Sequence, residues 1–219
     1  LLEDTFNEFR SKTDHYILER YGMTETNIIC SNPIAGKRKP GTVGLPLEGQ
    51  SLRIVDDSFN NLSINEIGNI QVHGPNVFNG YWNLPDKTKE DFSADNFFNT
   101  GDKGFIDQDG YLTIVGRSKD MIISGGLNVY PKEIESLIDD IEAVRESAVI
   151  GLKDADLGEK VVAVVVKKEE SEITEQDLIA TLKNDIAGFK VPKKIIFIEE
   201  LPRNAMGKVQ KNVLRDNYQ

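Results

Sequence analysis

Cysteine, tryptophan and histidine are scarce in this sequence, and long apolar runs are missing. Its 219 residues include one cysteine, Cys30, one tryptophan, Trp82, and two histidines, His15 and His73. One cysteine cannot close an internal disulfide or build a cysteine-based zinc site, so a reducing, cytoplasmic setting is expected, or the mitochondrial matrix in a eukaryote. Neither histidine belongs to a metal-spaced cluster. His15 follows a predicted helix and suits an interaction with its C-terminal dipole. Cys30 has no histidine close in sequence and is not expected to be a nucleophile. No apolar stretch approaches the ~20 residues of a membrane span. Positive charge is also short: 26 Lys and Arg face 36 Asp and Glu, a net charge of −10. Binding along a phosphate backbone needs a basic surface, so nucleic acid is excluded as the main partner. A Gly-x-x-x-x-Gly-Lys-Ser/Thr phosphate loop is absent too.

What remains is a folded chain, 39% hydrophobic and 28% charged, long enough for one large domain or two small ones. It begins Leu1-Leu2-Glu3. With no initiator methionine and no signal-peptide pattern, it is expected to be a piece of something longer. Its acidity is uneven. Residues 188–219 carry seven basic side chains (Lys190, Lys193, Lys194, Arg203, Lys208, Lys211, Arg215) against Glu199, Glu200 and Asp216. A basic end on an acidic chain is either a solvated face or a site for a small polyanion such as a nucleotide or coenzyme A.

Periodicity divides the chain near residues 116–120. Before that point, a helix is expected from Leu2 to Lys12 and a strand at Tyr16–Leu18. A Pro/Gly/Lys-rich loop from Ser31 to Gly49 precedes strands at Ser51–Val55 and Asn69–His73. A helical turn is expected at Asp86–Asp91, and a hairpin through Gln108-Asp109-Gly110. After it come a helix opening at Pro131, β-branched strands at Ser147–Leu152 and Lys160–Val166, a helix capped by Thr174, a strand at Ile195–Ile198 and a helix from Lys211. The fold class expected is mixed: a strand-rich, barrel-like first part, then a small α+β domain of about a hundred residues.

Several short motifs could carry chemistry. In Tyr21-Gly22-Met23-Thr24-Glu25 a glycine permits close backbone approach, and a hydroxyl next to a carboxylate suits a phosphate with a hard cation. Alone, the pentapeptide is equally a surface turn. Asp102, in Thr100-Gly101-Asp102, is placed just before a predicted strand and suits two sugar hydroxyls; Arg117 suits a ribose or a phosphate. For either residue alone, a structural ion pair is the preferred reading. Gly125 and Gly126 mark close backbone approach, to a neighbouring segment or to a thin ligand. Lys208 tips a turn-rich stretch from Pro202. Trp82 is expected in the core or an interface.

The order of these motifs is more specific than any one of them. The series YGMTE, GNIQVHGPNVFNGYW, FFNTGD, GRSKDMIISGGLNVYPKEIE and LPRNAMGKVQK resembles the later blocks of the adenylate-forming enzymes: acyl-CoA synthetases, adenylation domains of peptide synthetases and luciferases. The likeness runs from about Tyr16 to Tyr218, and its wording is most similar to malonyl-CoA synthetases. It implies that residues 1–118 are the C-terminal part of a large AMP-binding domain and residues 119–219 a complete small lid domain. It further implies a carboxylic acid, ATP, Mg2+ and coenzyme A as reactants and cofactors, with the acid short or dicarboxylic. By position, Tyr21, Gly22 and Met23 would line the adenine and acyl pocket, Thr24 would contact phosphate, and Glu25 would hold Mg2+. Asp102 and Arg117 would take the ribose, Lys119 would be the hinge, and Lys208 the adenylation lysine. Gly125 and Gly126 would border the pantetheine tunnel, and Phe189 and Lys193 the nucleotide end of coenzyme A. Two positions depart from the pattern: Leu157, where an aromatic is often found, and Asn69, where a glutamate is common and the change is expected to be structural. The family's β,γ-phosphate loop would lie upstream, in an expected missing half-domain. Two other readings stay open: loading of a carrier protein instead of coenzyme A, and a non-catalytic fragment or binding module.

Overall fold

Alternating and β-branched segments recur in both parts of the chain, and the computed structural model, which describes residues 3–169 and 171–219, is accordingly rich in strands. It divides into two units, Leu1–Ser118 and Lys119–Gln219.

The first unit opens with helix α1 (Glu3–Thr13). Leu2, the start expected for this helix, lies outside the described residues. Next come β1 (Arg20–Met23), β2 (Asn27–Ser31) and the two-residue β3 (Leu45–Pro46), which form an antiparallel three-stranded sheet. A second antiparallel sheet runs in chain order through β4 (Ser51–Val55), β5 (Gly68–His73), β6 (Phe98–Ile106) and β7 (Leu112–Arg117), with helix α2 (Pro85–Asp91) between β5 and β6. Tyr21, Ile29 and Cys30 from the first sheet share one core with Ile54, Ile70, Val72, Phe98 and Leu112 from the second. Along one edge the sheets are also bonded to each other. Val43 N–H donates to Leu112 O at 2.9 Å, and Leu112 N–H donates to Gly44 O at 2.9 Å, giving the barrel-like arrangement expected.

Three expectations need correction here. Tyr16–Leu18 is not a strand; pairing starts at Arg20, so Tyr21, Gly22 and Met23 are themselves strand residues. The isolated apolar triplet has no partner strand to bond, whereas residues 20–23 face β2. The loop from Ser31 to Gly49 contains β3, because Cys30 and Ser31 pair with Pro46 and Leu45. Strand β6 begins at Phe98, so Asp102 lies within a strand instead of just ahead of one as expected. A bulge between Lys103 and Gly104 breaks the regular alternation that would have shown this in sequence.

A 3-10 turn at Ser118–Asp120 leads into the second unit, followed by a short hairpin, β8 (Ile122–Ser124) and β9 (Leu127–Val129). Helix α3 (Pro131–Asp139), strands β10 (Val144–Asp154) and β11 (Gly158–Lys167), helix α4 (Glu175–Asp185), strand β12 (Lys194–Ile198) and helix α5 (Lys211–Tyr218) follow. Strand β11 pairs antiparallel with β10 and parallel with β12. Its valine run shows that both faces are covered. Val161, Ala163 and Val165 face α3 and α4 through Ile134, Ile138, Leu178 and Leu182. Val162, Val164 and Val166 face Leu201 and Leu214 of α5. The cap expected at Thr174 is complete: its side chain accepts from Asp177 N–H while the Asp177 carboxylate accepts from Thr174 N–H.

Candidate functional site

In the first unit, three motifs far apart in sequence meet. Tyr21, on β1, points its hydroxyl at Asp102 on β6 and donates to Oδ2 at 2.6 Å. Arg117, paired with Asp102 across β6 and β7, reaches Oδ1 with Nε at 3.1 Å. The carboxylate is buried while the guanidinium is half exposed, so the arginine also faces outward. Burial, then the negative charge of Asp102, pushes the Tyr21 phenol far above its ordinary value and keeps it a neutral donor. The structural ion pair anticipated for Asp102 or Arg117 thus exists, between these same two residues.

Gly22 is required by backbone geometry. At the β1–β2 bulge, a Cβ on Gly22 would come within 2.0 Å of Asn27 O. Thr24 and Glu25 occupy the turn that follows, with Thr24 exposed and Glu25 half-buried. The Tyr81 hydroxyl donates to Glu25 Oε1 at 3.2 Å. Burial, and Glu25 beside it, push the Tyr81 phenol up to about 12. Tyr81 lay inside a quoted motif, but nothing in its spacing linked it to residue 25. Met23 is partly buried against the shared core.

A cleft of about 930 Å³ in this unit is lined by His73, Phe78, Tyr81, Trp82, Lys89 and Phe92 among others, and includes none of the sequence-predicted site residues. The convergence on Asp102, not the size of the cleft, marks the candidate site. Trp82 is 89% exposed, so of the core or interface position expected of it, the core is ruled out. It follows Gly80 and Tyr81 into a turn outside any strand, where the following Asn83 has a φ of 55° and no sheet neighbour covers the indole. Asn69 has a structural role: Nδ2 donates to Asp57 Oδ1 at 2.9 Å, beside the buried Lys103 that also meets Asp57 at 3.2 Å. Cys30 is fully buried, and burial pushes its thiol up to about 12, where it is no nucleophile. His15 is exposed just beyond α1, its backbone N–H donating to Thr13 Oγ1 at 3.2 Å.

In the second unit, Lys119 is exposed in the 3-10 turn at its start. Gly125 and Gly126 are the two central residues of the β8–β9 hairpin, with φ of 59° and 79°. A two-residue hairpin of this kind needs positive φ at both positions, which accounts for the pair without any ligand. Gly125 N–H donates to Leu157 O at 2.8 Å, so Leu157 sits against this turn. A Cβ on Gly126 would meet nothing within 4 Å. Phe189 is partly buried and packs on the core beneath α3 and α4. Lys193 is exposed, with its backbone N–H held by Val161 O at 2.8 Å.

The basic end is less positive than its composition suggests. Four of its seven cations are paired with acidic groups: Lys190 with Glu133 at 2.7 Å, Lys211 with Glu135 at 2.5 Å, Arg215 with Asp120 at 2.8 Å, and Arg203 with Glu146. Counting charge along the chain could not show this, because the partners lie on α3, on β10 and in the opening turn. Among the described residues, Lys193, Lys194 and Lys208 keep ammonium groups without a carboxylate partner. Also among the described residues, no group of three His, Cys, Asp or Glu could hold a metal ion, and no helix is long and apolar enough to cross a membrane.

Two family models match the chain: AMP-binding enzyme over residues 1–82, and AMP-binding enzyme C-terminal domain over residues 133–208. The malonate–CoA ligase of Arabidopsis thaliana is 42% identical over 224 residues, covering 97% of this chain and 36% of that protein. The long-chain-fatty-acid–CoA ligase of Salmonella typhimurium is 40% identical over 205 residues, covering 93% of this chain and 36% of that protein. Among solved structures, ATP-bound MatB from Rhodopseudomonas palustris matches with a TM-score of 0.97 and 55% identity, over 100% of this chain and 44% of that one. The chain therefore spans about a third of the length of the curated relatives it matches.

Proposed function

This chain belongs to the AMP-binding enzyme family, and we propose that it is the C-terminal part of an ATP-dependent acyl-CoA synthetase. Residues 1–118 are then the end of the large nucleotide-binding domain and residues 119–219 the small domain that follows, with Lys119 as the hinge. The observation that carries this reading is the convergence of Tyr21, Asp102 and Arg117. Tyr21 and Asp102 are 81 residues apart, yet a buried carboxylate is held from both sides in an orientation fixed before any ligand arrives. A buried carboxylate whose orientation is fixed in advance suits the acceptance of hydrogen bonds from vicinal sugar hydroxyls.

The donor set suits a magnesium ion that arrives with its nucleotide. Mg2+ is typically held by one or two carboxylates together with substrate phosphates and water, and Glu25 supplies one carboxylate already positioned by Tyr81. When bound, the ion would neutralise phosphate charge; Thr24 would orient the phosphate beside it. In the reaction proposed, the substrate carboxylate attacks the α-phosphorus and pyrophosphate leaves. Lys208 stabilises the charge that builds up between the two. A thiol then displaces AMP from the acyl-adenylate, with Gly125 and Gly126 bordering its path and Lys193 near its nucleotide end.

For the acid, a short dicarboxylate such as malonate is supported by the Arabidopsis relative; the similarly close long-chain relative makes the acid the point to test. The full-length enzyme, given ATP, Mg2+, coenzyme A and a panel of acids, should release AMP and pyrophosphate and form one acyl-CoA preferentially, with malonyl-CoA expected. Release of ADP and phosphate would overturn the adenylate route. A longer acyl-CoA as the preferred product would overturn malonate alone, and transfer to a holo-carrier protein in preference to coenzyme A would overturn the acceptor.

A further inference from the structure

Lys208 belongs to a segment with an unusual imbalance. Residues 203–208 are all exposed, so burial contributes little to their order. They are nevertheless tied tightly by polar bonds. Arg203 and Val209 bridge as a short antiparallel pair, and Gln210 N–H donates to Pro202 O at 2.8 Å. Asn204 shapes the tip: its N–H donates to Lys208 O at 2.9 Å, and its C=O accepts from Gly207 N–H at 2.9 Å. Its side-chain Oδ1 accepts from both Met206 N–H at 3.0 Å and Lys208 N–H at 2.9 Å. Arg203 spans the segment and the sheet, donating to Gly207 O at 2.7 Å through Nη1 and to the Glu146 carboxylate on β10 through Nη2.

The far end is fastened to the same strand. Lys211, the first residue of α5, pairs with Glu135, whose Oε1 also accepts from Val149 N–H of β10 at 2.9 Å. Both arms of an exposed turn are thus anchored on one strand, and the ammonium it carries has no carboxylate partner among the described residues. Stability alone does not explain that arrangement. An exposed hairpin could fray at little cost to the core, and exposed pairs of this kind stabilise weakly. Fixing a cation in space does explain it, because a misplacement of about 1 Å can cost roughly 100-fold in rate.

We propose that Asn204 and Arg203, with Glu146 behind the arginine, are positioning residues that hold Lys208 for the adenylation step. This rests on Lys208 being the adenylation lysine. Asn204 sets the backbone from which the lysine projects, and the Arg203–Glu146 pair fixes the hairpin to β10. Glu135 and Lys211 form the second anchor; they are too buried to be clean test sites, since breaking such a pair endangers the fold.

The test uses the full-length enzyme and measures the half-reactions separately, as ATP–pyrophosphate exchange and as acyl-CoA formation from supplied acyl-adenylate. Asn204→Leu should lower exchange roughly 10- to 100-fold through kcat, with KM for ATP little changed and the thioester half-reaction within about twofold of wild type. Asn204→Asp keeps the accepting oxygen and should restore most of the exchange rate. Arg203→Gln and Glu146→Gln, made separately, should each lower exchange by about 3- to 10-fold, and together by no more than Arg203→Gln alone, since the arginine variant already breaks the tether to Glu146. If Asn204→Leu leaves exchange intact, if the Asp and Leu variants are equally impaired, or if both half-reactions fall together, the positioning role is overturned. Should Asn204→Leu not fold, the Arg203 and Glu146 variants decide by the same two readouts. Lys208→Ala separates the two claims: full exchange in that variant removes the lysine's role, whereas lost exchange there with unchanged exchange in the others removes only the positioning.

Discussion

The two candidate sites are built in opposite ways. In the first unit the key group, Asp102, is buried and held by a tyrosine below and an arginine at its rim, so its chemistry and the local fold depend on the same contacts. In the second unit the key group, Lys208, is exposed, and the contacts that order it belong to its neighbours. A group that receives a sugar benefits from burial, because a low local dielectric strengthens each hydrogen bond. A group that must meet charge building up elsewhere has to stay accessible. The difference implies that altering the first site should damage stability and altering the second should damage rate.

Lys208→Ala should therefore give the largest effect on rate and almost none on stability. Loss of one preorganised donor to developing charge costs about 10²–10³ in rate, or roughly 2.7–4 kcal/mol. An exposed side chain without an ion-pair partner should change stability by no more than about 0.5 kcal/mol. Pyrophosphate exchange and guanidinium unfolding of the full-length enzyme measure the two. A variant that lost stability in step with rate would erase the contrast.

Tyr21→Phe tests the opposite case. It removes a hydroxyl from a buried carboxylate and leaves Oδ2 short of a donor, at a cost of about 1–3 kcal/mol. Slowed-exchange amides in β1 and β6 should show the loss, and amides of the second unit should not. The pH dependence has a definite sign. The folded phenol is raised above the ordinary tyrosine value near 10, so its contribution is complete below about pH 10 and is lost as pH rises above it. The phenylalanine variant should lack that alkaline decline, and an identical decline in both proteins would assign it elsewhere.

How far these sites could be read in sequence follows from the same contrast. Most elements of the second unit were legible, because β-branched runs and a complete cap at Thr174 declare themselves locally. In the first unit the bulges at Tyr21/Gly22 and Lys103/Gly104 hid the strand positions of Tyr21 and Asp102, since a bulge interrupts the two-residue period. Motif order singled out the candidate site residues; it did not point to their partners. Neither Tyr81 beside Glu25 nor Glu146 beside Arg203 has a spacing that predicts contact, because the fold brings together segments far apart in sequence. The charge count failed at the basic end for that reason too.

Gly125→Asn separates two explanations of one motif. Asparagine tolerates positive φ, and Asn-Gly is a preferred pair for this hairpin, so the turn should survive. The added side chain would start near Leu157, whose Cδ2 lies 3.6 Å from the position of a Cβ on Gly125. If this edge borders the thiol's path, acyl-CoA formation from supplied acyl-adenylate should fall on the order of tenfold, about 1.4 kcal/mol, while pyrophosphate exchange is unchanged. Retention of both activities would mean that the glycines serve only the turn.

The smallest effect expected bears on whether rate and stability are separable within the second unit itself. Thr174→Ala removes an N-cap whose hydroxyl accepts from Asp177 N–H, on a helix whose Leu178 and Leu182 enter the core that also contains Ile134 and Ile138 of α3. The expected cost is about 1 kcal/mol. Helix α4 packs on the face of β11 opposite to the one covered by Leu201 and Leu214, the residues that flank the Lys208 hairpin. A loss of stability transmitted through the sheet would loosen both faces and lower pyrophosphate exchange as well. If the hairpin is held by its own tethers to β10, exchange at temperatures well below unfolding should equal wild type even though the unfolding midpoint drops. The two measurements on one variant thus show whether the order around Lys208 is local or borrowed from the core, and only local order is compatible with a lysine positioned by Arg203 and Asn204.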